Sequence, residues 1–484
     1  MSSEKMDAAS LISKLNLNKD ESKDQQLKKV EEAREASETD TEKAESPAEE
    51  VKEDKPDEKD NTEKPQNSLV DSTYEVKVKL ADLQADPNSP LYSVKSFEEL
   101  GLREELLKGL YAMKFSKPSK IQEKALPLLI QNPPRNMIGQ SQSGTGKTAA
   151  FSLAMLTRVD ENDPMVQALC LSPARELARQ TEEVVSQMCK YTNIKVKLVV
   201  PGSLERDETV NGQVVIATPG VILDLLRRRK INFSHLKIFV LDEADNMLDK
   251  QGLADQCLRV KKNIPQSTQL VLFSATFPEE VRRYAEKFVP NANSLELKHE
   301  ELNVDAIKQL YMDCDSDQHK FEVLCELYGL LTIASSIIFV QTKDTASKLY
   351  ARMKQEGHAV SILHGDLQPA ERDRLIDDFR EGRSKVLITT NVLARGIDIP
   401  SVSMVVNYDI PLDKSGKPDP STYLHRIGRT GRFGRTGVSI SLIHDKKSYQ
   451  DLEAIRQYFG GIEMTRLPTD DWDEVEEIVK KVVK

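Results

Sequence analysis

The sequence contains few cysteines and no long apolar segment. Its 484 residues include five cysteines, an odd number with no Cys-x-x-Cys pair, and this usage favours free buried thiols over disulfides or zinc. No apolar run approaches the ~20 residues of a membrane-spanning helix, and the amino terminus has no signal-peptide core. These absences favour a soluble intracellular protein without membrane insertion.

The amino-terminal extension also lacks aromatic side chains. Residues 1–70 contain no Phe, Trp or Tyr, and their 20 acidic and 12 basic residues supply most of the net charge of -10. Such a segment cannot bury enough apolar surface to offset the entropy lost on ordering it, so we predict a disordered acidic extension over 1–70. Its one apolar patch, Leu11–Leu17, fits either an inconsequential amphipathic turn or a nuclear export signal or docking peptide. The near-neutral remainder does not argue against nucleic acid as a partner.

Short apolar segments alternate with helical stretches from about Tyr74 onward. Strands that are apolar throughout and separated by helices indicate a parallel sheet covered on both faces. The pattern occurs twice, on either side of a polar stretch at 294–305 that predicts a linker. The apolar segments are Ala168–Leu171, Val196–Val200, Val214–Ala217, Ile238–Leu241, Leu270–Phe273, Ile337–Val340, Val360–Leu363, Val386–Thr389, Met404–Asn407 and Val438–Ile443. We therefore predict an α/β fold of two tandem doubly wound parallel-sheet domains, with ligands beyond the carboxyl ends of the strands.

A phosphate-binding loop occupies residues 141–148, with the sequence Ser-Gln-Ser-Gly-Thr-Gly-Lys-Thr. It follows a strand-like segment (Asn136–Gly139) and precedes a helical one (Ala149–Leu156), the context in which loop amides point at phosphates. Lys147 is then placed to reach the β- and γ-phosphates, and the Thr148 hydroxyl to ligate Mg²⁺. Ser141 stands where Gly or Ala is usual, a mild departure.

Two adjacent acids, Asp242 and Glu243, follow the apolar segment Ile238–Leu241. Acids that end a buried strand are costly unless they hold a metal or take a proton. We predict that Asp242 holds Mg²⁺ through water, and that Glu243 orients and deprotonates the attacking water. A helix cap would explain one acid but not two.

Two other classes of nucleotide-binding protein are disfavoured. The sequence contains no Asn-Lys-x-Asp base-reading loop, which a GTPase would normally carry. Small-molecule kinases of the P-loop class lack a second α/β domain with motifs of its own. A nucleotide hydrolase with a partner domain therefore fits better.

The second half contains a basic strip at 425–432, His-Arg-Ile-Gly-Arg-Thr-Gly-Arg. It fits a solvated basic loop or a phosphate-backbone contact. It also fits a strip of arginine fingers that reaches the γ-phosphate bound by the first domain, which can raise hydrolysis ~10³–10⁵-fold. In the second case, joining the domains would switch the enzyme on.

The order of these segments resembles that of DEAD-box RNA helicases of superfamily 2. The matching segments, spread over about 97–443, are Phe115…Pro118…Ile121-Gln122, 141–148, Pro173–Ala178, Thr218–Gly220, Asp242–Asp245, Ser274–Thr276, Ile338–Val340, Ala394–Pro400 and 425–432. The resemblance implies two RecA-like domains and an RNA-dependent ATP hydrolase that unwinds short duplexes locally. Three positions depart from the family pattern: Ala174 replaces Thr, Pro201 replaces the first Gly of a Gly-Gly pair, and Val221 replaces Arg.

The resemblance also implies roles for individual residues. Gln122 would read the adenine edge with Phe97 packed on the ring, and Asp398 would contact the ribose. The ATP phosphates would be bound by the loop residues Ser143, Gly144, Thr145, Gly146, Lys147 and Thr148, with Arg429 and Arg432 as arginine fingers. The RNA backbone would be held by Arg175, Gly202, Thr218 and Gly220 from the first domain and by Gln368, Arg372 and Thr390 from the second. Phosphate state would be coupled to domain closure by Ser274, Thr276, His425 and Asp245.

Two flanking segments narrow the resemblance to one branch of the family. Residues 74–92 and Pro468–Trp472 resemble the fungal-type mRNA-export ATPase of the cytoplasmic face of the nuclear pore. This implies a monomer, in cytoplasm and nucleus, whose partners are messenger ribonucleoprotein, a cytoplasmic-side nucleoporin with a β-propeller, and an export activator that works with inositol hexakisphosphate. The expected organisation is an extension (1–70), a family-specific flank (71–96), a first domain (97–296), a linker (297–305) and a second domain (306–484).

Two basic groups are candidate partner surfaces. Arg259, Lys261 and Lys262 could meet an acidic nucleoporin rim and compete there with RNA. Lys480, Lys481 and Lys484 could hold an inositol phosphate beside the activator, or could only stabilise the end of a helix.

The leading hypothesis is thus an ATP-dependent RNA remodelling enzyme. The alternative is an ATP-gated RNA clamp or scaffold of low turnover, which could lose either Glu243 or Arg429. A DNA-translocating helicase is disfavoured by the Asp-Glu-Ala-Asp spelling and by the Gln122 motif.

Overall fold

The computed structural model describes residues 76–79, 93–140, 146–205, 208–249, 252–297, 307–330, 335–391, 402–431 and 436–483. The predicted disordered extension and the segment Leu11–Leu17 lie outside these ranges. So do the loop residues 141–145, most of the predicted linker, and the segments 392–401 and 432–435. None of the helices in the described ranges is long and apolar enough to cross a membrane.

The first sheet contains seven parallel strands and one antiparallel edge strand. The strands are β1 (Val76–Lys79), β2 (Met137–Gln140), β3 (Ala168–Leu171), β4 (Val196–Val199), β5 (Val214–Ala217), β6 (Ile238–Leu241), β7 (Gln269–Ser274) and β8 (Asn293–Leu297). Their order is β1-β8-β2-β7-β6-β3-β5-β4, and β1 pairs with β8 in the antiparallel direction. The accompanying helices are α1 (Glu104–Ala112), α2 (Lys120–Ile130), α3 (Lys147–Arg158), α4 (Arg175–Met188), α5 (Pro219–Arg227), α6 (Ala244–Asp249), α7 (Leu253–Lys261) and α8 (Glu279–Phe288), with a 3₁₀ turn at Glu98–Leu100.

The second sheet contains seven strands that all pair in parallel. They are β9 (Ile307–Asp313), β10 (Ser336–Phe339), β11 (Val360–Leu363), β12 (Val386–Thr389), β13 (Met404–Asn407), β14 (Gly437–Ile443) and β15 (Thr465–Leu467), in the order β11-β12-β10-β13-β14-β9-β15. The helices are α9 (Asp317–Leu330), α10 (Lys343–Gln355), α11 (Pro369–Arg380), α12 (Pro420–Ile427), α13 (Lys446–Tyr458) and α14 (Trp472–Val483). Two tandem doubly wound sheets confirm the predicted fold class.

The strand β6 shows why wholly apolar segments become central strands. All four of its residues are fully buried. Ile238 and Val240 pack in the core on one face of the sheet, and Phe239 and Leu241 pack in the core on the other. Successive side chains of a strand point to opposite faces, so a central strand with helices on both faces needs apolar residues at every position.

Strands at and next to the edge of the first sheet do not follow this rule. Residues 294–297, where polar composition predicts the start of the linker, belong to β8 instead. This strand lies between β1 and β2, and it packs Leu295 into the core although Asn293 and Ser294 are polar. In β1, Val78 packs against the same core, so part of the family-specific flank belongs to the first sheet.

The edge-to-face pair of Phe239 and Phe288 generates a stability prediction. Both rings are fully buried, with their centroids 5.4 Å apart. The substitution Phe239→Ala should lower the free energy of unfolding by about 3–5 kcal/mol, because it leaves a cavity between two layers. Urea denaturation measures this loss. The control is Tyr449→Ala, at a side chain that is 48% exposed, for which we expect a change within about 0.5 kcal/mol; equal losses in the two variants would contradict the assignment of Phe239 to the core.

Candidate active site and nucleic-acid interface

The described part of the phosphate loop begins at Gly146, immediately before α3. This glycine has φ +97°, and a Cβ there would lie 2.5 Å from the Gln122 side-chain nitrogen, so any other residue would strain the backbone and displace the Gln122 amide. Lys147 is the first residue of the helix and is buried, and Thr148 follows it half-buried. A glycine loop that leads into a helix amino terminus is a site for anions such as phosphate. The predicted loop residues Ser143, Gly144 and Thr145 lie outside the described ranges.

Gln122 ties the start of α2 to this loop. Its Oε1 accepts a hydrogen bond from the Ser119 backbone N–H at 3.0 Å, as part of a capping box. Its Nε2 donates to the Gly146 carbonyl, also at 3.0 Å. A carboxamide has two donors and two acceptor lone pairs, so one N–H and one lone pair remain beyond these two bonds. The structure thus places the proposed adenine-reading residue against the phosphate loop.

The structure does not place Phe97 where the sequence predicts it. Its side chain is 1% exposed and belongs to the core of the first domain, among residues such as Leu106 and Leu126. A ring enclosed in this way presents no face on which an adenine could stack. In the described conformation Phe97 therefore acts as a core residue that supports the segment before α1.

Asp242 and Glu243 lie at the carboxyl end of β6, the position predicted for them. Both are buried, at 3% and 4% exposure. Burial, reinforced by the neighbouring Glu243 and opposed by Lys147, raises the pKa of Asp242 to about 7. A divalent cation would remove this penalty, and Mg²⁺ is bound through one or two carboxylates together with waters and phosphates. The Asp242 carboxylate and the Thr148 hydroxyl therefore form a donor set that fits Mg²⁺.

Glu243 is held in a strained backbone conformation. Its φ is +51°, in the left-handed region that residues other than glycine rarely adopt, at a cost of about 1–3 kcal/mol. The backbone N–H donates to Asp242 Oδ1 at 3.0 Å, and the Glu243 carboxylate accepts from Asn246 Nδ2 at 3.2 Å. These bonds fix the direction of the carboxylate. Asn246 is a residue of this site that the sequence analysis did not find.

Asp245 joins the first sheet to the second. Its Oδ2 accepts from the Thr276 backbone N–H at 3.1 Å and from the Thr276 hydroxyl at 2.8 Å. The same oxygen lies 3.1 Å from His425 Nε2, on helix α12 of the second domain. Ser274 Oγ accepts from the Asp245 backbone N–H at 3.1 Å. The four residues predicted to couple the domains therefore lie in one buried cluster.

The helix α12 brings further groups to this cluster. Ser421 Oγ lies 3.3 Å from Thr276 Oγ1, which is a second contact between the domains. Arg429, just beyond the helix, is 2% exposed and donates from Nε to the His425 carbonyl at 3.0 Å. The other predicted finger, Arg432, and the ribose contact, Asp398, lie outside the described ranges.

A cleft between the two sheets contains most of the predicted RNA contacts. It encloses a cavity of about 920 Å³. Its lining includes five of the seven predicted residues: Arg175, Thr218, Gly220, Arg372 and Thr390. Gly202 and Gln368 do not line the cavity; Gly202 lies exposed in the turn after β4, with φ +80°, and Gln368 is the residue that precedes α11.

Comparison with known proteins decides the family. A DEAD/DEAH box helicase family model matches residues 119–284, and a helicase conserved C-terminal domain model matches residues 319–434. The ATP-dependent RNA helicase DBP5 of Debaryomyces hansenii is 70% identical over 482 residues, which is 99% of this chain and 98% of the relative. The chain belongs to the DEAD-box RNA helicases. This confirms the resemblance drawn from the motifs and makes the protein an ATP-dependent RNA helicase.

Two solved structures of Saccharomyces cerevisiae Dbp5 are also similar to this helicase. Dbp5 bound to RNA and ADP BeF3 is 70% identical, covers 81% of this chain and 100% of its own, and gives a TM-score of 0.79. A point variant bound to Nup159, a Gle1 variant, IP6 and ADP is 68% identical, covers 79% and 99%, and gives a TM-score of 0.60. The helicase described here thus superposes better on the RNA-bound relative.

The three family departures of this helicase lie together in the cleft. Ala174, Pro201 and Val221 all line the cavity. A proline has no N–H to donate to a phosphate, but the Pro201 carbonyl accepts a hydrogen bond from Arg175 Nη1. The departure therefore removes one donor from the cleft, whereas the carbonyl that orients Arg175 is one that any residue would supply.

Ion pairs between α4 and α11 form a ladder across the helicase domains. Five pairs cross the contact: Arg175–Asp373 at 2.7 Å, Arg179–Asp377 at 2.8 Å, Arg179–Asp373 at 3.7 Å, Arg372–Glu176 at 2.8 Å and Arg380–Glu183 at 3.3 Å. The Arg372–Glu176 contact is an ion pair in which Glu176 Oε1 accepts no hydrogen bond. Both arginines predicted to bind RNA are thus also contacts between the domains. Charged residues spaced i,i+4 along each helix could have indicated that the helix forms a series of ion pairs, but not which helix supplies the partners.

The proposed partner surfaces differ in their surroundings. Lys261 donates from Nζ to the Phe288 carbonyl at 2.6 Å and lies over the Phe288 ring, and burial lowers its pKa. Lys261 therefore caps α8 and is half-buried, whereas Arg259 and Lys262 are exposed; the nucleoporin contact of this basic run stays a prediction. Lys481 is exposed, 3.1 Å from Glu477 one turn earlier, and the side chains of Lys480 and Lys484 lie outside the described ranges.

The ladder predicts a charge-swap rescue. Arg179 and Asp377 are 28% and 32% exposed, so solvent screens the pair and it contributes about 0.2–1 kcal/mol. Arg179→Asp or Asp377→Arg alone should raise the RNA concentration for half-maximal ATPase stimulation by about two- to fivefold, since the predicted RNA contacts Arg175 and Arg372 belong to the same ladder. The double swap should restore most of the loss. Arg374→Asp, at an 83% exposed position of the same helix, is the control, and a double variant worse than both singles would contradict a direct pair.

Proposed function

We propose that this helicase is an RNA-stimulated ATPase that remodels messenger ribonucleoprotein during mRNA export through the nuclear pore. The observation that carries the proposal is the shared carboxylate of Asp245. It lies two residues from Glu243 and bonds at once to Thr276 and to His425 of the second domain. The position of the second domain would thereby control assembly of the hydrolytic site. The two domains together also form the cleft in which RNA would bind.

ATP would bind between the phosphate loop and the strip that begins at His425. Residues 143–148 would hold its phosphates, Gln122 would recognise the adenine, and Asp398 the ribose. Mg²⁺, held by Thr148 and through water by Asp242, would neutralise charge on the phosphates. Glu243 would orient the attacking water and take its proton, and Arg429 with Arg432 would stabilise the charge that develops on the γ-phosphate.

RNA would lie in the cleft, held by its backbone. The groups supplied there are the guanidiniums of Arg175 and Arg372, the hydroxyls of Thr218 and Thr390, and the glycine backbone at Gly220. Such donors hold phosphate and sugar and position a strand without reading its sequence. Contacts to the 2′-hydroxyl would set the preference for RNA over DNA. Gly202 and Gln368 would extend the same path beyond the cavity.

The structure favours turnover over a purely structural clamp. The left-handed backbone of Glu243 is a strained feature retained beside the phosphate loop, and Asn246 aims its carboxylate. A clamp that did not hydrolyse ATP would need neither the strained backbone at Glu243 nor the hydrogen bond from Asn246. The ion-pair ladder between α4 and α11 is the observation that favours the clamp, because it would prolong the closed state.

The proposed partners follow from the relatives. S. cerevisiae Dbp5 forms complexes with RNA, and with Nup159, Gle1 and IP6, and we infer that this helicase has equivalent partners. They would be the cytoplasmic-side nucleoporin with a β-propeller and the export activator that works with inositol hexakisphosphate. The protein would then concentrate at the cytoplasmic face of the nuclear pore, in exchange with cytoplasm and nucleus.

The catalytic part of the proposal predicts RNA-specific stimulation. ATP hydrolysis should rise with single-stranded RNA and not with single-stranded DNA, and Glu243→Gln should lower the stimulated rate at least about 10²-fold, because the base is lost while the shape is kept. The matched control is Glu279→Gln on α8, where the side chain is 70% exposed, which should leave the rate within about twofold. Equal stimulation by DNA, or full activity of Glu243→Gln, would refute the proposal.

The activator part predicts a loss of dependence on inositol hexakisphosphate. Changing Lys480, Lys481 and Lys484 together to Gln should abolish the increment that this ligand adds to activator-stimulated ATPase, since each lysine supplies one charge to a polyanion. The measurement compares activator with and without the ligand at fixed RNA. Glu477→Gln, which frees Lys481 from its neighbour, should keep the increment. An undiminished increment in the triple variant would assign these lysines to helix stabilisation alone.

A further inference from the structure

Arg426 is a fully buried cation to which neither the motifs nor the proposed mechanism gives a task. It lies on α12 beside His425, which contacts the first domain, and three residues before Arg429. None of its surface is exposed. Its guanidinium carbon lies 5.1 Å from the centre of the Phe339 ring. A buried arginine is retained only where its N–H groups have partners.

Those partners are neutral oxygens at the ends of two strands. Nε and Nη2 both donate to Asn391 Oδ1, at 3.0 and 2.7 Å. Nη1 donates to the Asp409 carbonyl at 2.7 Å and lies 3.3 Å from Asn407 Oδ1. Asn407 ends β13, whereas Asn391 lies two residues beyond β12. The guanidinium therefore fastens α12 to the segment that follows β12.

That segment is part of the cleft. Thr390 and Asn391 both line the cavity assigned to RNA, and Asn391 is an exposed residue although its acceptor faces a buried cation. The other end of the link is the helix that meets the Asp245 cluster through Ser421 and His425. The Arg426 side chain thus connects α12, the helix that leads to the proposed arginine fingers, to the wall of the RNA cleft.

We propose that Arg426 is a positioning residue through which RNA in the cleft sets the orientation of α12 and of the finger Arg429. If the backbone at 390–391 shifts, the buried guanidinium loses two hydrogen bonds unless α12 shifts with it, because a buried charged donor without its acceptor is strongly unfavourable. The two segments therefore move as a unit. This inference rests on the proposed roles of the cleft in RNA binding and of Arg429 as a finger.

The test removes the acceptor and keeps the shape. Asn391→Leu is close to isosteric but accepts no hydrogen bond, whereas Asn391→Asp keeps an oxygen at the same place. The probe is ATPase rate against the concentration of a single-stranded RNA, so that the maximal rate and the half-saturating RNA concentration are separated. Thermal unfolding of each variant shows whether it folds.

We expect the two variants to fail differently. Asn391→Leu should lower the maximal RNA-stimulated rate about tenfold while the half-saturating RNA concentration stays within about threefold. Asn391→Asp should retain the maximal rate but need more RNA, increasingly so at low salt, because it adds a negative charge to the cleft. Arg426→Lys, which cannot donate two bonds to one acceptor in this geometry, should behave like Asn391→Leu.

Three outcomes overturn the proposal. If Asn391→Leu keeps the native maximal rate, the link does not transmit RNA binding. If Asn391→Asp loses the maximal rate as severely as Asn391→Leu, the acceptor is not what matters. If both Asn391→Leu and Arg426→Lys fail to reach a folded state, the arginine is only a structural support of the second domain. Failure of the proposed function is separate, since the unaltered protein would then show no RNA stimulation.

Discussion

Three buried carboxylates within four residues constrain this structure more than any other feature. Asp242, Glu243 and Asp245 are each 3–4% exposed. The effective penalty for taking an ion out of water is several kcal/mol, so each carboxylate requires its own compensation. Lys147 opposes the penalty at Asp242, and Asn246 donates to Glu243 within one helical turn. Only for Asp245 does part of the compensation come from the second domain, in the form of His425.

On the proposed mechanism, this difference separates two steps. Glu243 is oriented by Asn246 of the first domain, so the group proposed to activate water does not depend on α12 for its direction. Asp245 accepts hydrogen bonds from Asn246 and Thr276 of the first domain and has an additional contact with His425 of α12. The same helix leads into Arg429, whose Nε is held by the His425 carbonyl. If Arg429 acts as the proposed finger, closure would add the His425 contact to Asp245 and bring a positive group in one movement, and hydrolysis would then be conditional on closure.

The sequence predicts strands that are apolar throughout better than strands that alternate with polar residues, and local motifs better than contacts between domains. The strands β3, β5 and β6 are predicted to the residue, because a central strand must be apolar throughout. β1, at the edge, and β8, next to it, are missed, because polar residues interrupt their apolar ones. The acids of β6 are found because both lie in one short segment. The ladder is missed because it requires knowing which face of α4 meets which face of α11, and Phe97 is misplaced because sequence does not show that its ring is enclosed in the core.

Two side chains proposed to bind RNA, Arg175 and Arg372, also form ion pairs between the domains. Arg175 donates to the Pro201 carbonyl on one side and to Asp373 of the second domain on the other. An arginine has five N–H groups in a fixed plane. An RNA phosphate could therefore accept hydrogen bonds from Arg175 only through the N–H groups that these two bonds leave available. Arg372 is in the same position with Glu176. A phosphate in the cleft would meet two guanidiniums already oriented by these pairs, and it would compete with Asp373 and Glu176 for them. Because both guanidiniums would serve the strand and the ladder, a bound strand would alter the stability of the closed state, and the closed state would alter the affinity for the strand by the same factor.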